Sequence, residues 1–211
     1  MTQLLLIRHG ANDAQKDGIL AGWMPGVHLN QEGRAQAEAL ARRLAPVEIE
    51  AVYASPLERT VETAEIIAIP HELSVVVREG LGEVRFGRWT GEPLEKLRRR
   101  RLWRAVQFAP GTVRFPGGES FCEMQARVVA ELENLRARHR QQTIAVVSHS
   151  DVIKAAVAHY AGLHLDLFQR LVVSPASLTV LVLIGPVPHL LCMNDIGHLP
   201  HVVEGEKNEP A

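Results

Sequence analysis

Residues 4–7 read Leu-Leu-Leu-Ile and stop at Arg8. A short run that is apolar at every position has no face to give to water, so it suits a strand covered on both sides. Such strands belong to mostly parallel sheets with helices packed on each face. The rest of the chain repeats the pattern: Ala51–Ala54, Val75–Val77 and Thr143–Ser148 are further short strands. Between them, Ala35, Ala39, Leu40 and Leu44 give a helix over 30–45, stopped by Pro46. Ser55 is expected to cap a helix reaching about Ile67, with Pro56 at its first position and Glu58 completing a capping box. Ser150 or Asp151 is expected to cap another. Leu178–Ile184 and Leu190–Met193 are close enough for an antiparallel hairpin. The expected fold is α/β: a three-layer αβα sandwich with a largely parallel central sheet and an antiparallel last strand.

A chain of 211 residues suits a single domain. Its expected span is 1–203, with a small cap insertion at about 83–121 and a flexible polar tail at 204–211. A net charge of -1 gives no strong positive field, so neither nucleic acid nor an anionic membrane is an expected partner. Cys122 and Cys192 have no disulfide-framework or zinc spacing. With no targeting segment evident, a soluble cytoplasmic protein is expected.

Chemistry concentrates at the strand ends. Ligands of open α/β sheets bind beyond the carboxyl ends of the strands. Arg8-His9-Gly10 sits at one such end and Ser148-His149-Ser150-Asp151 at another. Arg59 lies one turn into the helix after the second strand. A phosphoryl group explains this collection of cations and imidazoles. Burying its charge alone is prohibitive, whereas each cation about 4 Å away offers roughly 4 kcal/mol at an effective dielectric near 20. A neutral His9 can attack phosphorus, while Arg8, Arg59 and His149 hold the equatorial oxygens. A leaving alcohol needs a proton from a carboxylic acid of raised pKa. Glu83 is the candidate, with Glu79 and Glu92 competing on spacing alone.

These residues sit within longer motifs: Leu6-Ile7-Arg8-His9-Gly10, Leu20-Ala21-Gly22-Trp23, Leu29–Ala37, Ser55–Ala64, Glu83 with Phe86–Gly91, Pro116–Ser120 and Val146–Ser150. In that order the set resembles the histidine phosphatase superfamily, the phosphoglycerate-mutase-like proteins, over residues 3 to about 199. The resemblance implies a phosphohistidine mechanism without metal or cofactor. It implies His9 as nucleophile, Arg8, Arg59 and His149 as the phosphate pocket, and Glu83 as acid and base. Asn12 and Gln15 stand where the family usually has Ser or Thr and Asn, and both can donate hydrogen bonds to a phosphoryl oxygen. Ala21, where many members have a hydroxyl, offers only its backbone N–H. Gly22 and Ser150 complete the expected substrate-binding set.

The segment after Glu83 is short, as in the phosphatase branch, so hydrolysis of a small anionic phosphorylated metabolite is expected. A phosphoglycerate mutase and an inactive phosphate-binding regulatory module are the alternatives. The Arg98–Arg101 run reads as a solvated helix face or a rim that steers anions. The ten histidines show no zinc spacing. The apolar last strands suit the edge of a homodimer.

Overall fold

The computed structural model describes residues 1–199. Its strands are β1 (Thr2–Arg8), β2 (Ala51–Ala54), β3 (Val75–Val77), β4 (Thr143–Ser148), β5 (Leu178–Ile184) and β6 (Val187–Asp195). They form one sheet in the order β3-β2-β4-β1-β5-β6. The first four strands run parallel, and β5 pairs antiparallel with both β1 and β6. The last strand is therefore antiparallel to its neighbour, while β5 is the strand whose direction is reversed.

The apolar runs are covered on both faces. Leu4 and Leu6 of β1, Tyr53 of β2 and Ile144 and Val146 of β4 enter one core. Leu5, Ile7, Val52, Ala54, Ala145 and Val147 enter the other. Alternate side chains of a strand point to opposite faces, so two layers are needed to bury them. The short α1 is Asp13–Lys16; α2 (Gln31–Leu44) and α3 (Glu58–Ala68) cover one face. On the other lie α6 (Phe121–Arg138) and α7 (Ser150–Tyr160). Asn30 caps α2 by accepting from Gly33 N–H. Ser120 and Glu123 start α6 with a capping box.

The segment expected to form a cap carries α4 (Leu94–Arg98) and α5 (Arg101–Phe108). Its Phe86, Trp89, Leu97, Val106 and Phe115 pack into the same core as Leu4 and Val146. Edge-to-face rings bind it to α6, with centroids 4.9 Å apart for Phe86–Phe115 and 5.2 Å for Phe115–Phe121. The Pro116-Gly117-Gly118 turn lets Phe115 N–H donate to Glu119 O.

Three local expectations are corrected. Ser55 is not a helix cap: α3 begins at Glu58, and its N-cap Leu57 makes no side-chain bond. Ser55 N–H is still paired with Val147 of β4, so Pro56 and Leu57 form a bend before the helix. Nor does Ser150 or Asp151 cap α7; His149 holds that position without a side-chain cap bond. Finally, β6 begins at Val187 and includes Pro188, which an edge strand tolerates because one row of its backbone groups pairs with no strand among the described residues. The tail expected at 204–211 lies outside the described residues.

Candidate active site

Parallel strands end on one side of a sheet, and the site follows from that rule. His9 follows β1 and His149 follows β4; these strands are neighbours, with Arg8 opposite Ser148. Arg59 begins the helix after β2, which pairs with β4 on its other side. Glu83 follows β3, next to β2. A cavity of about 320 Å³ opens among these ends. Arg8, His9, Arg59 and Glu83 line it, as do Asn12, Gln15, Ala21, Gly22 and Ser150. His149 lies against them, its ring centroid 5.2 Å from that of His9.

The chain leaves β1 in a fixed geometry. His9 N–H donates to Ser148 O, and Gly10 N–H donates to the Thr63 hydroxyl of α3. Gly10 lies against Gly33 of α2, so closely that a β-carbon on Gly10 would stand 2.4 Å from Gly33 O. That approach needs glycine at both positions. Gly22, at φ +51°, is pressed against Phe86 and turns its carbonyl to Arg59.

Hydrogen bonding selects the tautomer of His9. Its Nδ1 lies 2.8 Å from Gly10 O, and a carbonyl only accepts, so Nδ1 carries the hydrogen. The lone pair is left on Nε2, toward which Arg59 Nε donates at 3.4 Å. Burial, then the charges of Arg59 and Arg8, hold the His9 pKa well below the usual imidazole range. His9 is therefore neutral near pH 7. Burial and the same arginines also keep His149 neutral. Its Nε2 is 2.7 Å from Ser55 Oγ, and its Nδ1 accepts from Arg59 Nη2 at 3.3 Å.

Arg59 is 2% exposed, yet its Nη1 has no hydrogen-bond partner among the described residues. Arg8 Nε is likewise unpaired, although Arg8 Nη1 donates to Val173 O. Burial lowers both guanidinium pKa values, but an arginine in a protein stays charged. Two buried cationic donors without acceptors imply an anion as their partner. The N-terminus of α7 at His149-Ser150 adds partial positive charge beside them.

Glu83 faces this cradle, its Oε2 3.7 Å from His149 Nδ1. Burial, reinforced by the charge of Asp151 and opposed by Arg59, pushes its pKa up to about 7. Its competitors lie elsewhere. The Glu79 side chain is 81% exposed beside Arg85, and Glu92 pairs with Lys96.

Further contacts build the support, and the residue at their centre, Arg127, is one that sequence reasoning passed over. Arg127 of α6 donates to the carbonyls of Gly80, Gly82 and Glu83 and pairs with Glu119 at 2.8 Å. Trp23 Nε1 also donates to Glu83 O. Ser148 Oγ donates to Leu81 O, tying the same segment to β4. Asn12 caps α1, and its amide donates to Gln15 Oε1, so the two unusual residues brace each other. Of the four arginines expected as a run, Arg98 ends α4, Arg101 begins α5, and Arg99 and Arg100 lie in the turn between them. Arg99 pairs with Glu95 and Arg100 lies over the Trp89 ring.

Known proteins share both sequence and fold. Phosphoserine phosphatase 1 of Hydrogenobacter thermophilus is 33% identical over 186 residues, which cover 86% of each chain. A 2,3-bisphosphoglycerate-dependent phosphoglycerate mutase of Thermoplasma acidophilum is 29% identical over 188 residues, 84% of this chain and 85% of that protein. The solved structure of Bacillus stearothermophilus YhfR superposes with a TM-score of 0.89 at 28% identity, covering 94% of this chain and 99% of that one. The profile of the histidine phosphatase superfamily (branch 1) matches residues 4–196. With nearly the whole chain matched, the protein belongs to that superfamily.

Proposed function

We propose that the protein is a metal-independent phosphomonoester hydrolase that works through a phosphohistidine at His9. The observation that carries this reading is the pair of buried guanidinium donors, Arg8 Nε and Arg59 Nη1, without a partner among the described residues, beside the unprotonated Nε2 of a neutral histidine. The phosphoryl group sits between Arg8, Arg59, His149 and the α7 N-terminus. Asn12, Gln15, Ser150 and the backbone at Ala21 and Gly22 surround it. His9 Nε2 attacks phosphorus in line; the N–P bond forms as the bond to the alcohol oxygen breaks. Glu83, still carrying its proton near pH 7, gives it to the leaving oxygen. The Glu83 carboxylate then takes a proton from water, whose oxygen displaces His9 and releases phosphate. Ser55 holds His149 in place: its hydroxyl accepts from Nε2–H, which leaves Nδ1 to accept from Arg59 at the edge of the pocket.

The likeness to a mutase supports a second reading, transfer between hydroxyls of one substrate. A phosphate-release screen with chelator present separates the readings. Free phosphate from a phosphomonoester supports hydrolysis; isomerised phosphoglycerate without free phosphate supports the mutase. Binding without either product leaves the regulatory module. His9→Ala should abolish turnover while circular dichroism stays unchanged, and the wild-type intermediate should be acid-labile and base-stable. Full activity in the variant refutes the assignment.

Two broader inferences accompany this one. No helix among the described residues is long and apolar enough to cross a membrane, and the free thiols of Cys122 and Cys192 support a reducing, cytoplasmic setting. The exposed Val187, Leu190 and Leu191 on β6 support a homodimer formed along that edge. Light scattering tests it, with a monomer as the contrary result.

A further inference from the structure

A second cavity, of about 190 Å³, adjoins the phosphate pocket, and Leu20 and Phe86 line both. Its walls are aromatic: Phe86, Trp89, Trp103, Phe115 and Phe121. These rings brace one another, with edge-to-face centroids 4.9 Å apart for Phe86–Phe115 and 5.4 Å for Trp89–Phe115. The cavity is thus preformed. Its polar groups are Gln107, Asp151 and Gln169. The Asp151 charge is matched by Lys154 Nζ at 3.5 Å, which also donates to Gln169 Oε1 at 3.2 Å. Among the described residues, the arginines lining either cavity are Arg8 and Arg59, and no lysine lines them. Both arginines are taken by the phosphoryl group, so a substrate carboxylate entering here meets Asp151 and no unpaired cation.

We propose that this cavity holds the leaving alcohol and selects phosphomonoesters whose alcohol carries one uncharged aromatic ring or a flat apolar body of that size. The volume suits the assignment, since an apolar protein cavity of about 150 Å³ accepts benzene. Gln107, Asp151 and Gln169 can meet a hydroxyl or amide on the far side of the ring. The proposal rests on the phosphatase reading and deepens it. It also separates this chain from a relative named for phosphoserine, whose ester carries a carboxylate.

Three phosphonates, which cannot be hydrolysed, test the cavity by calorimetric titration. Benzylphosphonate should bind at least about tenfold tighter than methylphosphonate, as expected when a ring leaves water. Phosphonoacetate, with a carboxylate in place of the ring, should show no gain. Gln107→Trp, which fills the cavity, should erase the benzyl advantage and leave methylphosphonate affinity within about twofold. Equal affinity of the wild-type protein for the benzyl and methyl compounds overturns the subsite, as does a preference for phosphonoacetate. Both readouts use the native chain and stand whether or not the variant folds. Phosphate release from benzyl phosphate is scored separately. A benzyl advantage in binding without release from any ester keeps the subsite and removes the hydrolase. Release with no benzyl advantage does the reverse.

Discussion

In the proposed mechanism Glu83 has to be an acid when substrate arrives and a base when water does. A pKa near 7 serves both roles, and its causes can be altered singly. Burial is the larger and the Asp151 charge the second. Asp151→Asn removes a negative charge, so the Glu83 proton is lost at lower pH. The alkaline limb of the kcat profile should therefore move to lower pH; an unmoved limb excludes Asp151 as a cause. Glu83→Gln should slow alkyl phosphates by roughly 10²–10⁴-fold. It should slow p-nitrophenyl phosphate far less, because that alcohol leaves without a proton. Equal losses on both esters argue against a general acid. At this scale the arginines and histidines were readable, because charges at strand ends are rare and have few uses. The place of Glu83 after the third strand made it the candidate, but spacing alone left Glu79 and Glu92 competing, since it is burial that separates them. Ser55 was misjudged because its local geometry fits a cap; only the fold brings His149 to within 2.7 Å of it.

Elements hold these residues in place through a few close fits. Arg127 reaches from α6 to three carbonyls of the 80–83 segment, which makes it a positioning residue for Glu83. Arg127→Ala should lower kcat for alkyl phosphates about tenfold or more with little change in KM, and it should also shift the alkaline limb. Lysine at that position should restore part of the rate, since it supplies charge without the planar fork. A change in KM alone would contradict a positioning role. Gly33→Ala would put a β-carbon 2.0 Å from Ala11 O, so α2 must retreat from the His9 loop. A loss of at least about 2 kcal/mol in urea unfolding is expected, from backbone overlap. The strands and most helices were legible as apolar runs and periodic patterns. Arg127 was not, because nothing in the local pattern of α6 distinguishes a surface arginine from one folded over the next loop. Pro188 marked a strand end in the sequence, yet an edge strand admits it.

For the molecule as a whole, the site's titrations set a pH dependence of folding. His9 and His149 have depressed pKa values, so their contribution is present above about pH 6.5 and is lost as pH falls through it. Glu83 acts in the opposite sense. Its raised pKa makes the native state hold a proton that the unfolded chain releases between about 4.5 and 7. The two histidines therefore make the fold lose stability as pH falls below about 6.5, and the Glu83 proton opposes part of that loss between about 4.5 and 7. Glu83→Gln removes the offsetting proton, so its stability should fall more steeply with acid. Parallel curves for the two proteins would contradict the raised pKa of Glu83.

The strand order carries a consequence for synthesis. β1 and β2 are made first, but β4 lies between them. A ribosome-bound chain that has emerged only to residue 142 already owns His9, Arg8, Arg59 and Glu83, and has no spacer to hold His9 and Arg59 at the separation seen in the fold. Under the proposed mechanism, insertion of that late strand is required before the nascent polypeptide can react.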